Sequence, residues 1–161
     1  MNILVTGATG FIGHHLLRHV PDGCRCFVLA RATSNTADLP CDGIYVFDGN
    51  IDALAGYMGE HHIEGIIHLA AYYVAQHTSA QVRELVDVNA YFGTAVLEAA
   101  SHAGVRWFLN AGTIWQNYNV AGDEYCPVNL YAAIKQAFID VARYYQEACG
   151  LRFCTLKLSD I

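Results

Sequence analysis

The stretch that decides the fold runs from Asn2 to Gly13 and reads NILVTGATGFIG. Its first part is a short apolar run typical of a buried strand, and the amphipathic segment that follows is typical of a helix. Between them, glycines recur in the spacing G-x-x-G-x-x-G. A glycine-rich turn between a strand and a helix lets the backbone approach a pyrophosphate, which the free N–H groups of the helix start can bind. The stretch therefore predicts a dinucleotide-binding unit.

Each glycine of this turn has its own expected task. Gly7 permits the tight turn, Gly10 lets the backbone lie against the pyrophosphate, and Gly13 lets the helix pack closely. The phosphate-binding part of the expected cofactor site comprises Gly7, Thr9, Gly10, Phe11, Ile12 and Gly13.

The composition fits one domain, which we place at 1–161. Hydrophobic residues make up 54% of the chain and charged residues 15%, which suits buried parallel strands. The formal net charge of −6 argues against nucleic acid or an acidic membrane surface as a partner. No stretch reaches the ~18 uninterrupted apolar residues of a membrane span. Because the N-terminus lacks the features of a signal peptide, we expect a cytoplasmic protein.

The six cysteines and eight histidines predict no metal site. The cysteine spacings match no zinc pattern, and without a secretory signal we expect reduced, mostly buried thiols. The two His-His pairs are neighbours in sequence and do not face each other on a helix, so they make poor chelates.

Strands and helices alternate along the whole chain. After the first strand, apolar runs predict strands at 26–30, 43–47, 65–71, 106–110 and 151–158. Helical periodicity is found at 14–20, 51–61, 81–103 and 129–149, and Gly150 is expected to end the last helix. This alternation predicts an α/β fold, a Rossmann-type doubly wound parallel sheet with helices on both faces.

The end of the second strand bears on cofactor choice, because the adenosine ribose lies there in such a fold. Enzymes that use NAD often carry Asp or Glu at this point, whereas this chain has Arg31, followed by Thr33 and Ser34. A guanidinium pairs well with a 2′-phosphate, so we expect NADP(H) to be favoured over NAD(H), with Arg31 and Ser34 in the site. A solvated loop arginine is the alternative.

The ends of the third and fourth strands complete the expected cofactor site. The fourth strand ends in small residues, which let the backbone lie close under a cofactor. His68, inside that strand, is expected to be a packed and hydrogen-bonded core histidine. The cofactor residues expected at these two ends are Asn50, Ile51, Leu69, Ala70 and Ala71.

Tyr131 and Lys135 form the second site signal, because residues four apart lie on one helix face. An ammonium there would stabilise a phenolate and lower the pKa of Tyr131, which could then exchange a proton with a substrate hydroxyl or carbonyl. Lys135 could also reach ribose hydroxyls of the cofactor. Thr113, in the predicted loop after the fifth strand, would lie where open α/β sheets bind ligands. Its alternative role is a cap or turn residue.

These motifs together resemble the extended short-chain dehydrogenase/reductase family of sugar-nucleotide epimerases, dehydratases and reductases. The resemblance covers the whole chain and implies a catalytic set of Thr113, Tyr131 and Lys135, the last two also in contact with the cofactor. It further implies that Asn89 is a supporting residue of this set and binds the cofactor. Besides the glycine turn, the segments that carry it are 68–71, Val88-Asn89 with Gly93-Thr94, Gly112-Thr113, and Tyr131 with Lys135.

Two stretches, 111–118 and 127–138, are most similar to synthases of CDP-abequose and CDP-paratose, which are NADPH-dependent reductases of a 4-keto CDP-sugar. The resemblance thus implies reduction of a nucleotide-activated sugar with Tyr131 as acid/base. A 4-epimerase or a dehydratase on the same scaffold, and a non-catalytic dinucleotide-binding module, remain as alternatives. A dehydratase usually needs a further acid/base pair, which Ile114 and Trp115 do not supply.

Family members continue past the sixth strand into a smaller region that builds most of the sugar-nucleotide pocket. The present sequence stops at Ile161, so we expect the substrate domain to be absent. Either the sequence is a shortened form of a longer protein, or another chain supplies the missing part.

The two long helices carry more apolar residues than one sheet-facing stripe needs. The resemblance implies a homodimer in which helices 81–103 and 129–149 form a four-helix bundle with their copies. Packing within the chain, or under the missing region, is the alternative. The surplus residues are Tyr91, Ala95 and Ala99 on the first helix, and Phe138, Val141, Tyr144 and Tyr145 on the second.

Overall fold

The computed structural model describes residues 1–118 and 124–159. Six strands form one sheet in the order β3-β2-β1-β4-β5-β6, and every neighbouring pair is parallel. This confirms the Rossmann-type doubly wound sheet. The strands are β1 Asn2–Thr6, β2 Arg25–Ala30, β3 Gly43–Val46, β4 Gly65–His68, β5 Trp107–Thr113 and β6 Arg152–Leu158.

Five α-helices connect these strands within the described ranges: α1 Phe11–Arg18, α2 Ile51–Glu60, α3 Val82–Val86, α4 Phe92–His102 and α5 Leu130–Cys149. A π-helical turn, Asp87–Tyr91, joins α3 to α4, so the predicted helix 81–103 is continuous with one widened turn. In the part of the chain that the structure describes, no helix combines the length and apolarity that crossing a membrane requires.

Helices cover both faces of the sheet, but unevenly. One face packs against α2, α4 and α5, whose side chains share a core with Leu4, Phe27 and Phe108. The other face packs against α1, where Leu17 contacts Val5 and its neighbours. Because β1 and β2 are covered on both sides, nearly all their side chains are buried, which explains their uninterrupted apolar sequences.

Three predicted boundaries are wrong, and neighbouring strands explain two of them. β4 ends at His68 because β1 turns away at Gly7, leaving the N–H of Leu69 to bond the Thr6 oxygen at 3.2 Å. β5 extends to Thr113 because β6 runs beside it to Leu158, so the loop predicted from residue 111 begins later. α1 begins at Phe11, which places Gly13 inside the helix.

The ends of α5 fix the position of the helix that carries the expected catalytic pair. Asn129 accepts a hydrogen bond from Ala132 N at 2.9 Å as N-cap. At the other end Gly150 has φ 68°, as expected, and donates to the Gln146 oxygen at 3.1 Å. A left-handed residue at this position is a common way to end a helix.

Most of the surplus apolar residues on the long helices are used inside the chain. Ala95, Ala99, Phe138 and Tyr145 are buried, because α4 packs against both α2 and α5. The expectation that these four residues belong to an open face is therefore wrong. Tyr91 and Tyr144 remain exposed at 56% and 64%.

Candidate cofactor and catalytic site

The expected site residues lie at the carboxyl edge of the sheet, around the ends of the neighbouring strands β1 and β4. β1 leads to β2 and β3 on one side, whereas β4, β5 and β6 extend on the other. Open α/β sheets bind ligands at such a switch point. The two strand ends lie close together here, since a Cβ on Gly7 would stand 2.6 Å from the nitrogen of Ala70.

The three positions of the turn differ in why they carry glycine. Gly7 has φ 68°, and a Cβ on Gly13 would stand 2.4 Å from the Gly7 oxygen, so the packing of the chain itself requires both. Gly10 is exposed, with φ −81°, and a Cβ there would meet only the Gly7 oxygen, at 3.3 Å. The space above Gly10 is thus open at the N-terminus of α1, where unpaired N–H groups favour anions. This shape fits a pyrophosphate.

The side chains after β2 and β3, where the adenosine of a cofactor is expected, differ in whether they already make hydrogen bonds within the chain. Ser34 Oγ accepts from Arg31 N at 3.3 Å, and Asn50 Oδ1 caps α2 by accepting from Ala53 N at 3.0 Å. The Arg31 guanidinium is exposed and makes no hydrogen bond or ion pair within 1–118 and 124–159. Arg31 is therefore the side chain at this end that can meet a phosphate.

The remaining residues of the glycine turn and the third strand end differ in exposure. Thr9 and Phe11 are exposed, and the Phe11 ring contacts the His15 ring edge-on at 5.2 Å. Ile51 is half-buried and packs against the core. The hydroxyl and ring at Thr9 and Phe11 are thus open to a ligand, whereas Ile51 contributes mainly to the fold.

Tyr131 lies in the first turn of α5, and its ring contacts the Tyr73 ring edge-on at 5.1 Å. Burial of the phenol raises the pKa of Tyr131, and the neighbouring Tyr73 adds to the rise. The sequence predicted a lowered pKa for Tyr131, and this prediction is wrong in direction. Desolvation exceeds any help from Lys135, whose ammonium is directed to Asn110 instead.

Lys135 is fully buried at 1% exposure, and its Nζ stands 3.5 Å from Asn110 Oδ1. Burial lowers the pKa of Lys135 from 10.5 to about 8. The amine is still mostly protonated at neutral pH, because that pH lies below the lowered pKa. A positive charge is thus held one helical turn from the Tyr131 ring.

Thr113 is buried at the end of β5 and caps the 3₁₀ turn Ile114–Gln116. Its Oγ1 accepts from Trp115 N at 3.2 Å, and its N–H donates to Gln116 Oε1 at 3.0 Å. The cap role is therefore present. In this cap the Thr113 hydroxyl acts only as an acceptor, so its O–H can still donate a hydrogen bond to a ligand.

A cavity of about 260 Å³ joins the glycine turn to the expected catalytic residues. Ile12, Leu69 and Ala71 line it from the β1 and β4 ends, and Thr113 and Tyr131 line it from β5 and α5. A larger cavity of about 380 Å³ lies at the opposite edge of β5 and β6. That edge carries the amino ends of the strands, where sheets of this class do not bind ligands.

Asn89 lies in the π-helical turn and is fully buried. Its Oδ1 accepts from Tyr72 N at 3.0 Å, and its Nδ2 donates to the oxygens of Tyr72 and Leu85 at 2.8 and 3.0 Å. The amide therefore anchors the segment after β4, which favours a supporting role over direct contact with a cofactor. π-turns of this kind are frequent at functional sites.

Four residues around the cavity were not predicted from the sequence. Tyr73 and Trp115 line it, Asn110 holds Lys135, and Gln116 links Thr113 to Gln136 of α5 at 2.9 Å. Only Gln116 had a usable signal, because Thr-x-x-Gln is the spacing of a capping box. No three His, Cys, Asp or Glu side chains come together as a metal site among the described residues.

Known proteins match this chain over its whole length. The family model "NAD dependent epimerase/dehydratase family" matches residues 3–161. CDP-abequose synthase of Salmonella typhimurium is 24% identical over 162 residues, which cover 99% of this chain and 52% of that protein. The same enzyme of Salmonella muenchen is 24% identical over 99% of this chain and 53% of its own length. The chain thus spans about half the length of these curated relatives.

Solved structures show the same fold. UDP-glucose 4-epimerase from Brucella ovis in complex with NAD superimposes with a TM-score of 0.82 at 21% identity, over 97% of this chain and 51% of that one. UDP-N-acetylglucosamine 4-epimerase from Bacillus cereus gives 0.78 at 21% identity, over 98% and 59%. At this identity the likeness concerns the fold alone, whereas the family model covers nearly every residue. The chain belongs to the NAD dependent epimerase/dehydratase family.

Proposed function

We propose that this chain is an NADP(H)-dependent oxidoreductase that reduces the 4-keto group of a nucleotide-activated sugar. The observation that carries the proposal is the shared cavity, which brings Ile12 of the glycine turn together with Thr113 and Tyr131. A nucleotide-sugar substrate is supported by the relatives, which include CDP-abequose synthases and a UDP-glucose 4-epimerase.

The dinucleotide would bind along the carboxyl edge of the sheet. Gly7, Gly10 and Gly13 shape the open space at the start of α1, and the N–H groups there would hold the pyrophosphate. Leu69, Ala70 and Ala71 follow β4 on the same edge. Bound there, the reduced cofactor supplies a hydride to the substrate carbonyl carbon.

The chain's own residues supply the proton and orient the carbonyl. Thr113 donates its free O–H to the carbonyl oxygen. Tyr131 gives its phenolic proton to that oxygen, which becomes the hydroxyl of the product while the tyrosine becomes a phenolate. The Lys135 ammonium stabilises the phenolate by its charge.

One feature of the sequence supports reduction over dehydration. A dehydratase usually needs a further acid/base pair, and Ile114 and Trp115, which follow Thr113, do not supply one.

NADP(H) is the cofactor we propose, because Arg31 stands directly after β2. Its guanidinium is exposed and is not engaged by a carboxylate within the described ranges, so a 2′-phosphate would meet it without breaking an ion pair. Structural neighbours with NAD bound make NAD the competing cofactor.

The experiment that tests this function follows the nicotinamide absorbance of NADPH in the presence of the chain and a 4-keto CDP-sugar. We expect NADPH to be oxidised, and Tyr131→Phe, which removes only the hydroxyl, to slow this by about 10²-fold or more.

Other outcomes would reject the reductase. Interconversion of C4 epimers without net loss of NADPH would show a 4-epimerase, and loss of water from the sugar a dehydratase. Binding of NADPH with no reaction of any of these sugars would reject catalysis by this chain alone.

A further inference from the structure

Four polar side chains lie side by side across the middle of the sheet. Thr6 pairs with His68, His68 with Asn110, and Asn110 with Thr155. Paired residues of parallel strands project to the same face, and here it is the face on which α5 packs, since His68 contacts the Phe138 ring at 5.5 Å. We call Thr6, His68, Asn110 and Thr155 the polar row.

Three of the four residues of the polar row are buried under α5, and Thr155 is half-buried. Thr6, His68 and Asn110 are each 0% exposed, and Lys135 above them is 1% exposed. Polar groups at this depth persist when their hydrogen-bond partners are fixed. The contacts of these buried polar side chains therefore indicate what the row does beside Lys135.

Asn110 is the member of the row that contacts Lys135. Its Oδ1 accepts from Lys135 Nζ at 3.5 Å, and its Nδ2 donates to Thr155 Oγ1 at 3.2 Å. Within 1–118 and 124–159, Asn110 is the sole hydrogen-bond partner of the ammonium. An ammonium has three N–H donors, so two remain for the phenolate of Tyr131 and for hydroxyls of a ligand.

His68, which is also buried, adds no second positive charge near the ammonium. Its Nδ1 lies 2.9 Å from Thr6 Oγ1, while its Nε2 is buried with no partner among the described residues. The rings of Phe92 and Phe108 lie within 5.8 Å of the imidazole. Burial, and then Lys135, lower the pKa of His68 to about 3, so the ring stays neutral.

We propose that Asn110 is a positioning residue for Lys135, fixing the buried ammonium by a neutral oxygen so that its charge is held, unneutralised, one helical turn from Tyr131. A carboxylate in this place would neutralise the charge, and an aliphatic side chain would leave the ammonium without an anchor. The catalytic use of this arrangement rests on the function proposed above.

The test follows the Lys135 side chain by NMR as pH is raised, in the wild type and two Asn110 variants. Asn110→Asp should raise the Lys135 pKa by about one to three units, because it places an opposite charge beside the ammonium. Asn110→Leu should lower it by about one unit, because it removes a hydrogen bond to the charged form. Gln146→Glu makes the same amide-to-carboxylate change on the exposed end of α5, and should leave the titration unchanged.

Folded Asn110 variants whose Lys135 titrates as in the wild type would overturn the proposal. If Asn110→Asp does not fold, Asn110→Leu, which puts an apolar side chain with the same number and branching of heavy atoms beside Phe108, decides the question alone. The readout needs no substrate. If the Lys135 titration shifts but NADPH is not turned over, Asn110 positions Lys135 and the reductase is rejected. If NADPH is turned over but the titration does not shift, the reductase stands and the positioning role is rejected.

Discussion

His68 and Lys135 are two ionisable side chains that the fold buries on the same face of the sheet. Burial lowers the pKa of both, to about 3 for His68 and about 8 for Lys135. At neutral pH the histidine is therefore uncharged and the lysine is charged. One positive charge, not two, lies beneath the Tyr131 end of the site, which suits the stabilisation of one phenolate.

The neutral state of His68 predicts an acid-dependent loss of stability. Below its ordinary pKa of 6.5 the unfolded chain binds a proton at His68, whereas the folded chain does so only near pH 3. Stability is therefore present above 6.5 and lost as pH falls, by about 2 kcal/mol between about pH 7 and about pH 5. His68→Gln removes this contribution.

Urea denaturation of the wild type and His68→Gln at these two pH values measures the effect. Because the two proteins differ only at residue 68, the difference between their pH dependences isolates His68. We expect the variant to lose less stability than the wild type on acidification. Equal losses in the two proteins would show that His68 is not held neutral by the fold.

At the residue scale the sequence predicted Tyr131, Lys135 and Thr113, because their spacing and their place after a strand follow from local pattern. Asn110 was not predictable, since its contact with Lys135 depends on strand register and on how α5 lies over the sheet. The direction of the Tyr131 pKa also depended on burial, which spacing does not reveal.

At the scale of elements, the ends of α5 were predicted better than the strand ends. Asn129 and Gly150 cap α5 through bonds within the helix or directly beside it, so local sequence carries the signal. β4 and β5 end where their neighbours end, and the sequence of one strand does not contain that information. The π-helical turn at Asp87–Tyr91 had no signal in the helical pattern either.

The outward sides of α3, α4 and α5 expose fewer apolar residues for the expected homodimer than the sequence suggested. The exposed large apolar side chains on these helices and the π-turn are Val82, Val86, Tyr91 and Tyr144. We expect the purified chain to form a dimer through them, because exposed apolar clusters often mark interfaces.

Light scattering measures this association. Tyr91→Glu combined with Tyr144→Glu should give a monomer, because buried charges without partners disfavour an interface. Tyr125→Glu, a change at an exposed tyrosine outside these helices, should leave the dimer intact. A wild-type chain that stays monomeric at high micromolar concentration would rule the dimer out.

At the scale of the whole molecule, the alternation of strands and helices was sufficient to predict a parallel sheet. The order of the strands, β3-β2-β1-β4-β5-β6, was not predicted, because right-handed crossovers are compatible with more than one order. The uneven covering of the two faces, with α1 on one and three helices on the other, was not predicted. It depends on the segment between β2 and β3, residues 31–42, which forms no helix.

Calorimetric titration of NADPH and NADH measures whether the glycine turn and Arg31 together hold NADP(H). We expect NADPH to bind about one to two decades more tightly, since a charge-assisted contact contributes ~1.5–3 kcal/mol, and Arg31→Asp to abolish or reverse the preference. Gly10→Val should remove binding of both cofactors by filling the open space above the turn. Valine is compatible with the backbone at Gly10, where φ is −81° and ψ 172°, so this variant should fold. Equal affinity for the two cofactors, or a folded Gly10→Val that binds NADPH as the wild type does, would contradict the account.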